Sequence, residues 1–117
     1  MRLRQVLVSP MNKLSLSPEA AIDLADIKQY ISYELKNPTA AQRVVRGITK
    51  ELRVLERYAE AGPSVAALTG YPSDLRILVC GKHIAIYKVI GDTILVSRII
   101  NAKQDYITVL FGEELTT

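Results

Sequence analysis

A chain of 117 residues with one cysteine is a single domain by length and permits no internal disulfide. Its apolar fraction of 49% excludes bulk disorder, and no apolar run approaches the ~20 residues that cross a bilayer. The net charge of +3 permits an acidic partner or a nucleic acid without requiring either.

The first ten residues, MRLRQVLVSP, carry two arginines and an apolar run at 6–8 that is too short for a signal-peptide core. Met11 follows at once, so residues 1–10 are expected to be an upstream or vector-derived extension of a domain spanning 11–117. The alternative is an extra edge strand over 3–9. Residues 13–17 alternate polar and apolar side chains and predict a short strand. Ser17 then caps a helix, with Pro18 at its first position and Glu19 and Asp23 complementing its dipole. Ala20, Leu24, Ile27, Ile31 and Leu35 recur at helical spacing, with Tyr30 and Tyr33 flanking that face.

Asn37-Pro38 ends this helix and opens a second one. Its apolar stripe runs through Ala41, Val44 or Val45, Ile48, Leu52 and Leu55. Gly47 weakens the interior of that helix by roughly 1 kcal/mol relative to alanine, and a close helix–helix approach is the expected reason. So tight a connection makes the pair an antiparallel hairpin. Residues 59–74, punctuated by Gly62-Pro63, Gly70 and Pro72, read as a long connection with a turn of helix at 65–68.

Strands are predicted at 75–80, 82–90 and 93–101, joined at Gly81-Lys82 and Gly91-Asp92. On the last strand, alternation groups Ile94, Val96, Arg98 and Ile100 on one face and Leu95, Ser97 and Ile99 on the other. The fold class is α+β: an N-terminal strand and an antiparallel two-helix hairpin packed on a small antiparallel sheet. Its second face is expected to be free for binding. Cys80, inside an apolar run, reads as a small buried side chain and fits a reducing, cytoplasmic setting. One histidine and one cysteine cannot supply a tetrahedral metal site, and no cofactor motif is present.

These segments, taken in order, resemble the RelE/ParE family of toxins. The resemblance is carried by Ser17-Pro18-Glu19-Ala20, by Asp26-Ile27 and Tyr30-Ile31, and by the Gly62 to Pro72 connection. It continues through the apolar strands at 75–79 and 84–89, Gly91-Asp92, Arg98-Ile99-Ile100 and Asp105-Tyr106, covering nearly everything from 13 to 112. It implies the toxin of a type II toxin–antitoxin pair, linked to growth inhibition and plasmid stabilisation. A cognate antitoxin would neutralise it, in a heterotetramer or beside a toxin homodimer. The implied antitoxin groove lies on the outer side of the hairpin near Tyr30, Tyr33 and Leu35.

Within the family, one branch cleaves messenger RNA on the ribosome and the other binds DNA gyrase. Metal-free cleavage needs a base, a cation for the phosphorane and an acid. For a nuclease, the resemblance points to Arg76 and Tyr106, with Lys103 as a partial substitute for a missing family cation; Arg98 can reach a phosphate or pair with a carboxylate such as Asp105, and His83 is the residue suited to proton transfer. Yet Ile84 occupies a family arginine position, and Ala102-Lys103-Gln104 stands where paired arginines are common. The depleted cation set favours the gyrase-binding, non-enzymatic branch, with Lys82, Lys88 and Arg98 as the target surface. The alternatives are a messenger-RNA endoribonuclease and a non-toxic binding domain of the same fold.

Overall fold

The computed structural model describes residues 11–103, so the expectations for residues 1–10, Asp105 and Tyr106 lie outside the described residues. Strand β1 (Lys13–Leu16) leads into helix α1 (Pro18–Gln29), which continues through a π turn (Tyr30–Glu34). Helix α2 (Pro38–Leu52) follows and tightens into a 3-10 turn (Arg53–Glu56). A connection holding helix α3 (Val65–Thr69) leads to β2 (Arg76–Cys80), β3 (His83–Ile90) and β4 (Thr93–Asn101). Both long helices start at the predicted caps. Ser17 Oγ accepts from the Ala20 N–H and Asn37 Oδ1 from the Ala40 N–H, each at 3.0 Å. Gly81 and Gly91, at φ +65° and +61°, open the two hairpin loops in a conformation that other residues adopt only with strain.

The sheet order is β1-β4-β3-β2. Strands β2, β3 and β4 form the expected antiparallel meander, while β1 joins β4 in parallel, so the sheet is mixed. This pairing stops at Val96. Beyond it, the start of α1 takes over the edge of β4: the Ser17 N–H donates to the Val96 carbonyl at 2.9 Å, and Ser17 Oγ donates to the Ser97 carbonyl at 2.8 Å. Asp23 Oδ2 accepts from the Ile99 N–H at 2.8 Å. One hydroxyl and one carboxylate thus seat the helix on the strand.

The predicted faces of β4 are corrected by a bulge. Tyr87 pairs with Val96 but Ile86 with Arg98, which leaves Ser97 as an extra residue. Alternation therefore slips by one. Ile94, Val96 and Ile99 join the core under the helices, with Ala20, Ile48, Leu52, Leu55, Ala85 and Tyr87. Ile100 falls on the other face, in a second core with Val65, Ile77, Ile84 and Ile86. That second face was expected to be free and is not, because the connection before β2 folds back and buries Val65. Two hydrogen bonds hold it along β2: Val65 N–H to the Leu75 carbonyl at 2.8 Å and Ile77 N–H to the Pro63 carbonyl at 3.1 Å.

Gly47 also departs from expectation. A Cβ built there would meet nothing within 4 Å, so no close helix approach requires it.

Candidate functional site

A groove of about 850 Å3 opens between the helix hairpin and the end of the sheet where β2 turns into β3. Its apolar wall comes from Ile27, Tyr30, Ile31 and Leu35 on one helix and from Ala40, Val44, Gly47 and Ile48 on the other. The strands contribute Cys80, His83, Ile99 and Ile100. Charge is confined to Asp23, Asp26 and Glu51 on the helices and to Lys82 and Arg98 on the sheet side.

The π turn shapes the open end. The Leu35 N–H donates to the Tyr30 carbonyl, five residues back, at 3.2 Å. Tyr30 and Leu35 both line the groove, and each is 56% exposed. Lys36 at φ +53° then reverses the chain towards α2. Tyr33, 72% exposed, stands apart from this pair, beside Ala25, Lys28 and Pro38. The predicted set of Tyr30, Tyr33 and Leu35 is thereby split, with two of its members on the groove.

On the sheet side, Lys82 and His83 sit at the β2–β3 turn and Arg98 on the adjoining stretch of β4. The Arg98 guanidinium is already engaged. Its Nε lies 2.7 Å from Asp23 Oδ2 and its Nη2 lies 3.0 Å from Asp23 Oδ1, a bidentate pair. The hydrogen bond to Asp23 raises the Arg98 pKa. Burial lowers that of His83. Burial, helped by Glu51, pushes the Cys80 thiol up to about 11, so it stays protonated and unreactive at neutral pH.

The remaining predicted residues do not converge on the groove. Arg76 lies at the opposite end of β2 from the turn, roughly 13 Å along the strand. Its Nη1 donates to the Gly62 carbonyl at 2.7 Å, and Nη2 stands 3.9 Å from Glu60. Lys88 lies five positions along β3 from His83, roughly 17 Å away. Lys103 is exposed just past β4, its N–H donating to Asn101 Oδ1 at 2.8 Å. Among the described residues, no group of three or more His, Cys, Asp or Glu side chains converges as metal ligands would. Nor is any described helix long and apolar enough to cross a membrane.

Sequence reasoning did not single out Asp26, Glu51 or Gly47 as groove residues. Their spacing was available: Ala40, Val44, Gly47, Ile48 and Glu51 follow one face of α2. What periodicity could not say is which side of that stripe stays uncovered.

The His83 shift has a stability consequence. A depressed folded pKa means that the unfolded chain binds the proton more readily. Stability is fully present above the ordinary histidine value near 6.5 and is lost as pH falls through the lower folded value. Urea denaturation between pH 7.5 and 5 is expected to show a smaller loss for His83→Gln than for the wild type.

Comparison with known proteins places this geometry in context. The profile of a family described as "ParE toxin of type II toxin-antitoxin system, parDE" matches residues 14–106. Among solved structures, a chain from the "Chromosomal ParDE TA system from P. aeruginosa" aligns at TM-score 0.67 with 26% sequence identity. The alignment covers 81% of this chain and 100% of that one. No curated protein matches.

Proposed function

Because the chain belongs to the ParE toxin family of type II toxin–antitoxin systems, we propose that it arrests growth by binding DNA gyrase and is neutralised by an antitoxin seated in the groove. The observation that carries the binding reading is the engagement of both strand arginines. Arg98 is held by Asp23, and Arg76 by the Gly62 carbonyl. A cleavage site needs cations turned towards the scissile phosphate, and losing one such group costs a factor of about 10² to 10³ in rate. His83 and Lys82 have neither arginine free to join them. The groove supports the antitoxin assignment: it is apolar, borders the exposed Tyr30 and Leu35, and carries charge on both sides. Extended or helical segments that order on binding occupy surfaces of this kind.

Expression without the antitoxin tests the proposal. Growth arrest with induction of the DNA-damage response and intact messages is the expected result. Codon-phased cleavage of messages, abolished by His83→Ala, would overturn it in favour of an endoribonuclease.

A further inference from the structure

Gly47 has no role that the fold explains. It sits inside α2, where glycine weakens the helix, yet a Cβ at this position would touch nothing. The open space beside it belongs to the groove. Most of the surrounding apolar wall is branched or aromatic, so the glycine makes a dent at which another chain can approach the α2 backbone. We infer that Gly47 is the contact point where the antitoxin packs directly against α2, and that it determines which antitoxin the groove accepts. This rests on the antitoxin reading above.

Charge describes the occupant further. Arg98 and Asp23 neutralise each other, whereas Asp26, Glu51 and Lys82 have no ion-pair partner among the described residues. Two acids stand on the helix side and one cation on the sheet side. The segment that fits is apolar, with a small residue or bare main chain facing Gly47. It places a lysine or arginine towards Asp26 and Glu51 and a carboxylate towards Lys82.

The test is calorimetric titration of the full chain with a purified antitoxin, identified as a small protein that suppresses the chain's toxicity when the two are co-expressed. Wild type, Gly47→Ala and Gly47→Leu are compared, with Lys50→Leu as a control on the same helix outside the groove. Thermal unfolding of each free protein is measured in parallel. Gly47→Ala should raise the Tm by about 2–5 °C, because alanine suits the helix better. It should nevertheless weaken binding about 3- to 10-fold, and Gly47→Leu by about 100-fold or more, with Lys50→Leu unchanged. Tight binding by Gly47→Leu would overturn the inference while leaving the antitoxin reading intact. Absence of binding by the wild type would overturn both. A wild-type dimer that Gly47→Leu converts to monomer would assign the groove to a second copy and overturn the antitoxin as its occupant.

Discussion

Gly62→Ala is expected to cost at least about 3 kcal/mol of stability and to lower the Tm by about 15 °C. A Cβ at position 62 would lie 2.0 Å from the Ile77 carbonyl oxygen and 2.8 Å from its carbon. Both atoms are backbone of β2, paired with Ile86, so neither can withdraw without breaking the ladder. The residue also anchors a buried network. Its N–H donates to the Tyr87 hydroxyl at 3.0 Å, that hydroxyl donates to the Ala59 carbonyl at 2.9 Å, and its own carbonyl receives Arg76. Relieving the clash means moving the loop and leaving fully buried Tyr87 with an unsatisfied hydroxyl. Urea denaturation reads the effect. A loss below about 1 kcal/mol would mean that the loop does not bear on β2 as described.

Asp23→Ala is expected to destabilise by about 2–3 kcal/mol. Two groups lose their partner at once, the Arg98 guanidinium and the Ile99 N–H. The Asp23 side chain is only 14% exposed, but that of Arg98 is 40% exposed, so solvent tempers the cost of the stranded cation. Asp23→Asn should fall between the two proteins, because an amide oxygen still accepts from the Ile99 N–H without neutralising Arg98. Equal losses for Ala and Asn would assign the stabilisation to charge alone.

Much of the fold could be read from local chemistry. Ser17-Pro18 and Asn37-Pro38 cap helices because cap and N1 preferences act over three or four residues. Gly81 and Gly91 mark their hairpins for the same local reason. What escaped was set by distant partners. The bulge at Ser97 carries no glycine, and it slipped the alternation that would have put Ile100 with Ile94. The partner of Arg98 is Asp23, 75 residues away, a distance over which no local pattern acts. Parallel pairing of β1 with β4 depends on where the hairpin delivers the chain, and no residue of β1 encodes that direction.

The site was legible in the same uneven way. Tyr30 and Leu35 announced an exposed apolar edge, and Lys82 with His83 announced a charged turn, all of them on the groove. Arg76 and Lys88 were also expected among the functional residues, but each is several residues along its strand from the turn. Spacing places a side chain on a face; only the packed chain shows which end of that face remains open.

The proposed function is occupation of a macromolecular target, DNA gyrase, in place of RNA cleavage. DNA supercoiling by gyrase, measured with the purified full chain, tests it most directly. Dose-dependent inhibition that His83→Ala leaves intact and that equimolar antitoxin reverses is the expected result. Unimpaired supercoiling at saturating protein, together with ribosome-dependent message cleavage by the same preparation, would contradict it.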